Sequence, residues 1–166
     1  MTHTCTIDTP LGPMLAAAKG GKLAVLNFLG QKHFAAGMND WLKQPDDPVL
    51  VALRAWLQGY FSGAATVPDV PLDPGGTPFQ KTVWSILLRI PRGATTSYGE
   101  IAREVAEKTG IAAMSAQAVG GAVGRNPIAI LIPCHRVLGA DGSLTGYAGG
   151  LDKKRALLAL EGITVP

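Results

Sequence analysis

The chain has little cysteine: Cys5 and Cys134 are its only two. A disulfide-stapled scaffold is excluded, and with three scattered histidines no zinc-type ligand spacing arises. No run reaches the ~18 consecutive apolar residues of a membrane span. The first residues do not read as a signal peptide. A phosphate cradle is missing too, since no G-x-G-x-x-G opens a helix and no glycine-rich loop leads into Lys-Ser/Thr. Charged residues make up 16% against 47% apolar, which excludes a disordered polyelectrolyte and leaves ample material for a core.

What charge there is lies unevenly. Residues 1–76 hold five Lys/Arg and six Asp/Glu, a balance of −1; residues 77–166 hold ten and six, a balance of +4. The basic half is the one that suits a polyanion. It also holds the stretch around which the chain is organised, Ile128-Ala-Ile-Leu-Ile-Pro-Cys-His-Arg-Val137. Its alternating residues are apolar on both faces, which reads as a buried strand that Pro133 stops. A lone cysteine after such a strand is more often an inert small hydrophobe than a nucleophile. His135 and Arg136 shift the balance, because two cations or donors beside a thiol lower its pKa. Neighbours in a strand point apart, so His135 serves Cys134 only if the chain turns there or a water bridges them.

The rest of the chain supplies elements. Met14–Ala18 and Leu23–Leu29 read as strands flanking the turn Lys19-Gly20-Gly21-Lys22, with Cys5 packed in an earlier extended run. His33 reads as a surface residue near a short helix over 34–42 that Gly37 weakens. Asp47-Pro48 opens a better helix carrying Leu50, Leu53, Trp56, Leu57 and Tyr60 to about Gly63. Residues 64–76, rich in Pro and Gly, read as a linker, so domains are expected over 1–76 and 77–166. Thr77-Pro-Phe-Gln80 is a capping box before a helix that Pro91 ends. Ser97-Tyr-Gly-Glu100 is a second box, opening a helix that stops at Gly110. Ser115 caps a third over Ala116–Gly124. The last two helices, joined by a glycine-containing turn, form a helix-turn-helix pattern. The third is almost all small: Ala116, Ala118, Gly120, Gly121 and Ala122. Small residues permit close approach, either to a packed neighbour or to a nucleic-acid groove. Asp152 is expected to cap a final helix that Gly162 ends. Glu161, in its last turn, opposes the helix dipole unless a cation or histidine offsets it.

Taken together, Pro133-Cys134-His135-Arg136-Val137, the preceding Gly124-Arg125-Asn126-Pro127, the later Gly146-Tyr147-Ala148-Gly149-Gly150 and Leu160-Glu161-Gly162 resemble the O6-alkylguanine-DNA alkyltransferases. The resemblance is dense over 77–166 and loose before it. It implies an α/β N-terminal domain of ribonuclease-H-like fold and a mainly α, winged-helix-like C-terminal domain with the helix-turn-helix. It implies a Cys134-His135-Glu161 relay in which His135, through a water, takes the thiol proton, with Tyr98 as donor to the departing base. Asn126, Pro133, Val137, Tyr147, Ala148 and Gly149 would shape the base pocket. Ser115, Gln117, Ala118, Gly121, Arg125, Arg92 and Arg136 would meet DNA in the minor groove. The partner is double-stranded DNA carrying O6-alkylguanine, whose base must be rotated out of the stack. No cofactor and no metal are implied, and the expected setting is a cytoplasmic monomer, nucleoid-associated in a bacterium. One departure stands out: the family pattern Ala-Arg-Ala-Val-Gly is here Ala116-Gln117-Ala118-Val119-Gly120. The segment from Glu104 to Ala113 also runs longer than usual. Three rivals remain on residues alone: a Cys-His-Glu hydrolase, a helix-turn-helix regulator with a redox-sensing cysteine, and a non-reactive DNA-binding homologue.

Overall fold

The computed structural model describes residues 1–31, 40–64 and 67–165. Two compact units emerge: Met1–Gly75 with Pro127–Ala129, and Gly76–Asn126 with Ile130–Pro166. His33 and residues 34–39 of the expected short helix lie outside the described residues.

The first unit is a four-stranded sheet with one long helix. Strands β1 (Thr2–Ile7), β2 (Met14–Lys19), β3 (Lys22–Phe28) and β4 (Trp41–Lys43) are ordered β3-β2-β1-β4. β1 and β3 pair antiparallel with β2, and β4 lies parallel to β1. Trp41 and Leu42 are thus strand residues, which corrects the helix expected over 34–42. Gly20 and Gly21 both have positive φ, 59° and 78°, so the β2–β3 turn takes the primed form that matches strand twist. Helix α1 (Pro48–Phe61) starts on the Asp47 cap and buries Leu50, Leu53, Leu57 and Tyr60. The Pro-rich linker is not free: Leu23 N donates to Pro71 O, and Asp73 N to Leu23 O, each at 2.8 Å. It thereby covers the β3 edge, which would otherwise present unpaired backbone groups.

The second unit is mainly helical: α2 (Pro78–Leu87), α3 (Tyr98–Thr109), α4 (Ala116–Gly124) and α5 (Leu151–Leu160). A two-stranded parallel sheet, β5 (Thr96–Ser97) with β6 (Val137–Leu138), was not legible in so few residues. The Thr77–Gln80 capping box forms with both of its bonds. The second box forms only half. Ser97 Oγ accepts from Glu100 N at 3.2 Å, but Glu100 Oε2 takes the Thr96 hydroxyl at 3.0 Å. Ser97 lies in the β5 ladder, so Glu100 turns to the neighbouring side chain instead.

The start of α5 is a second correction. Its cap is Gly150 with no side-chain bond, and Asp152 falls inside the first turn. Its end follows expectation: Gly162 has φ 85°, Ile163 N donates to Leu158 O and Gly162 N to Ala159 O. That is a Schellman motif, with Ile163 packed on the Leu158 cluster.

Candidate active site

The organising stretch is buried but is not a strand. Ile128 makes an isolated bridge to Leu26, after which the backbone turns; Ile130 has φ 70°. A β-branched residue in the left-handed region is strained by about 1–3 kcal/mol. An apolar run without polar alternation marks burial but not conformation, which is why sequence periodicity missed this turn.

A γ-turn then delivers the cysteine. Pro133 has φ −81° and ψ 64°, and Cys134 N donates to Ile132 O at 2.8 Å. Cys134–Arg136 form one 3₁₀ turn that runs into β6. Tight winding replaces the opposed directions of a strand. Asn126 braces this turn from the end of α4, its Nδ2 donating to Ile132 O at 2.8 Å. Behind α4, Trp84 Nε1 donates to Ala122 O at 2.9 Å, fixing the helix to α2.

His135 and Glu161 have fully buried side chains and lie 2.7 Å apart, Nε2 to Oε2. Burial holds the imidazole pKa below its ordinary 6.5, against the upward pull of Glu161. A neutral ring donating Nε2–H to the carboxylate leaves Nδ1 with its lone pair. Nδ1 is buried and bonds no described protein group.

Arg136 requires a correction. It was expected at the DNA surface, yet its side chain is 12% exposed. Nε donates to Glu161 Oε1 at 2.7 Å, Nη2 to Oε2 at 3.0 Å and Nη1 to Ile90 O at 2.6 Å. Glu161 therefore carries a forked guanidinium and an imidazole together, which resolves its unfavourable place in the helix dipole.

The thiol itself also departs from expectation. Cys134 is 8% exposed, and burial pushes its pKa up from 9.0, against lowering by Asn126 and by the Lys154 charge. His135 is neutral and Arg136 is occupied by Glu161, so neither is the cation that opposes this. That cation is Lys154, a residue sequence reasoning missed. Its Nζ donates to Thr145 O at 2.7 Å and Gly146 O at 3.0 Å. The signal was present: Lys154 and Glu161 share the helix face of Leu157 and Leu158, where a charge needs a reason.

Tyr98 begins α3, half-buried, and its hydroxyl donates to the same Thr145 O at 3.0 Å. Burial raises its pKa above 10.0. Tyr147, Ala148 and Gly149 are half-buried in the loop that follows; Pro133 and Val137 are buried beside the cysteine. Ser115 caps α4, and Ser115, Gln117, Ala118, Gly121 and Arg125 are all exposed. Gln117, Ala118, Gly121 and Arg125 follow i, i+1, i+4, i+8 spacing, a single helix face. Arg92 is half-buried, with Nη2 donating to Leu160 O at 3.0 Å at the end of α5. Among the described residues no group of three His, Cys, Asp or Glu could hold a metal, and no helix is long and apolar enough to cross a membrane.

Two family models match the chain. The "6-O-methylguanine DNA methyltransferase, DNA binding domain" matches residues 78–163, and the "6-O-methylguanine DNA methyltransferase, ribonuclease-like domain" matches residues 3–74. This chain belongs to that family. Among curated members of the family, the methylated-DNA–protein-cysteine methyltransferase of Mycobacterium tuberculosis (strain H37Rv) is 47% identical over 166 residues. The alignment covers 100% of this chain and 96% of the relative. The Methanosarcina acetivorans protein of the same name is 43% identical over 155 residues, covering 93% and 95%. The crystal structure of Mycobacterium tuberculosis OGT in complex with DNA has a TM-score of 0.85 and 46% identity. It covers 96% of this chain and 92% of that one. Methyl transfer from DNA to a cysteine of the protein itself is the family's activity and the activity of this chain, a direct form of DNA repair. The two-unit architecture, a mixed sheet with a helix and a helical second unit, is the family's fold.

Proposed function

We propose that Cys134 is the alkyl acceptor and that its substrate is O6-alkylguanine rotated out of double-stranded DNA. The observation that carries this is the buried pair His135 Nε2–Glu161 Oε2 at 2.7 Å, whose histidine shares one tight turn with the sulfur. A neutral thiol with a raised pKa needs a base, and a neutral imidazole oriented by a carboxylate is one. His135 Nδ1 takes the Cys134 proton through a bridging water. Sulfur attacks the alkyl carbon, the S–C bond forms as the C–O6 bond breaks, and the electron pair passes into the purine. Tyr98 leaves Thr145 O and donates its proton to the ring nitrogen, so that a neutral guanine departs. The thioether has no hydrolysable bond, so each molecule acts once.

The exposed face of α4 supports a minor-groove contact. A Cβ built on Gly121 or Gly124 meets nothing within 4 Å, and on Gly120 it meets only the Tyr98 ring at 3.7 Å. Packing within the protein does not demand these glycines; approach of another surface does. Gln117 fills the vacated stack and Arg125 meets phosphate. The protein works as a monomer in the cytoplasm.

The test is to incubate the protein with duplex DNA carrying O6-methylguanine and weigh it intact. We expect the mass of one methylene per molecule, on the Cys134 peptide. Unchanged mass, or repeated turnover, overturns the reading in favour of a regulator or a hydrolase.

A further inference from the structure

Helix α4 carries its open face on a poor helix-forming sequence. Three of its nine residues, Gly120, Gly121 and Gly124, are glycine, the weakest helix former after proline. A helix this short draws its stability from contacts outside itself. Ser115 supplies one at the first turn, its Oγ accepting from Ala118 N at 3.1 Å. Trp84 supplies another at the last turn, its buried Nε1 donating to Ala122 O at 2.9 Å. The same carbonyl accepts from Arg125 N at 3.2 Å, so the indole bonds α4 just where its backbone leaves the helix.

Trp84 is in turn seated by the end of the linker. A Cβ built on Gly76 would lie 2.6 Å from Cη2 and 2.7 Å from Cζ3 of the indole, and 2.9 Å from Gln80 Oε1. Carbon atoms do not pack so closely, so any side chain at 76 moves the ring. Gly76 is not among the glycines with positive φ. Close approach, and not backbone conformation, is therefore what excludes a side chain there. The ring is 2% exposed, so it moves only by giving up contacts it now makes. Gln80 is fixed as well, its Oε1 accepting from Thr77 N at 3.0 Å in the capping box. Gly76, Trp84 and Ala122 all lie in the second unit. They form one connected path from the linker to α4.

We propose that Gly76 and Trp84 are positioning residues for duplex binding: the bare end of the linker seats the indole, and the indole holds the last turn of α4 in the form its open face needs. The proposal rests on α4 being the minor-groove contact. The glycines that let α4 approach a duplex weaken it as a helix, and the Trp84 bond offsets that weakness from the protein's interior. The Cys134 turn has its own brace, Asn126 Nδ2 to Ile132 O at 2.8 Å. Loss of the Trp84 bond therefore falls on duplex recognition and not on alkyl transfer itself.

Two substitutions and their combination test this. Trp84→Phe removes the N–H and the indole carbons that face Gly76, and Gly76→Ala adds one methyl against them. Each protein is measured for affinity to unmodified duplex, and for single-turnover transfer from O6-methylguanine in duplex and as the free base. Each single variant should bind duplex roughly 3- to 10-fold more weakly, the effect of one hydrogen bond. Transfer at saturating duplex and from the free base should stay within about twofold of wild type. In the Trp84→Phe background Gly76→Ala should add nothing, because the atoms it strikes are gone. Gly75→Ala is the control: a Cβ there meets nothing within 4 Å, so its duplex affinity should match wild type. Should Trp84→Phe fail to fold, Gly76→Ala against Gly75→Ala carries the comparison. Unchanged duplex affinity in Gly76→Ala overturns the proposal. So does an equal loss with free base and duplex, or additive losses in the double variant. Gly121→Leu places bulk on the open face of α4; if it binds duplex like wild type, the minor-groove reading itself fails, a separate outcome.

Discussion

The Glu161 carboxylate faces His135 Nε2 at 2.7 Å and is forked at the same time by the Arg136 guanidinium. One anion orients the imidazole and neutralises the cation two residues from the sulfur. Replacing it with the isosteric amide leaves a buried guanidinium without a counter-charge. Removal of one partner from such a pair costs about 3–5 kcal/mol. Glu161→Gln is therefore expected to lower urea-unfolding stability by about 3 kcal/mol or more. Its transfer rate should fall by ~10²–10⁴, because the imidazole loses its orienting anion. A variant that keeps wild-type single-turnover rates while losing stability would restrict Glu161 to a structural part.

The pH dependence of transfer follows from two opposed shifts. Burial puts His135 below 6.5 and Cys134 above 9.0. At neutral pH the imidazole is already a base and the thiol still holds its proton. Wild-type rates should accordingly be nearly flat from pH 7 to 8 and fall only as His135 protonates below 6.5. In His135→Ala the thiolate forms without help, so the rate should climb about tenfold per pH unit toward the thiol midpoint. Single-turnover rates over that range decide it; parallel profiles for the two proteins would remove His135 from the proton path.

Gln117 stands exposed on α4, at the position where the family resemblance of Ala116–Gly120 leads one to expect arginine. An amide can fill a vacated stack and bond the orphaned base, but it releases no counterion. Gln117→Ala should slow repair of duplex DNA while leaving the reaction with free O6-methylguanine base unchanged. Gln117→Arg should bind duplex more tightly at low salt, with the salt slope steeper by about 0.9. Affinity titrations at several salt concentrations measure this. Equal duplex rates for Gln117→Ala and wild type would assign stack-filling elsewhere.

How far the sequence carried can be read from single residues. Asp47, Thr77, Ser115 and Gly162 act at helix ends as their types require, because caps depend on neighbours three or four positions away. The His135–Glu161 pair came from resemblance and not from spacing, since residues 26 apart meet only through the fold. Ile128–Ile132 misled because burial on all sides erases periodicity, leaving a turn and a strand with one pattern. Arg136 was expected to meet DNA and Lys154 drew no reading, because a charged side chain is taken as solvated unless the helix face or turn that buries it is known. The fold turns both inward.

Asp47 offers a prediction remote from the chemistry. Its Oδ1 accepts from Val49 N at 2.9 Å, capping α1, and its Oδ2 meets His3 Nδ1 at 2.7 Å. Burial raises its pKa, but the His3 bond and the Val49 and Leu50 N–H groups outweigh that and leave it below 3.8. A carboxylate depressed in the folded state contributes stability that is present above its unfolded pKa and lost as pH falls through the folded one. Asp47→Ala should thus cost about 1–2 kcal/mol at pH 7, from the cap and the His3 contact. The gap between the two proteins should narrow steadily below 3.8, as the wild-type carboxyl gains its proton. Urea unfolding at pH 7, 5 and 3 measures it. Asp47→Asn, which keeps the acceptor, should recover most of the cap at pH 7 and show a flatter acid limb. A gap that stays constant down to pH 3 would mean the side chain acts through packing and not through its charge. Alkyl transfer should remain at one per molecule in both variants, since neither touches Cys134, His135 or Glu161.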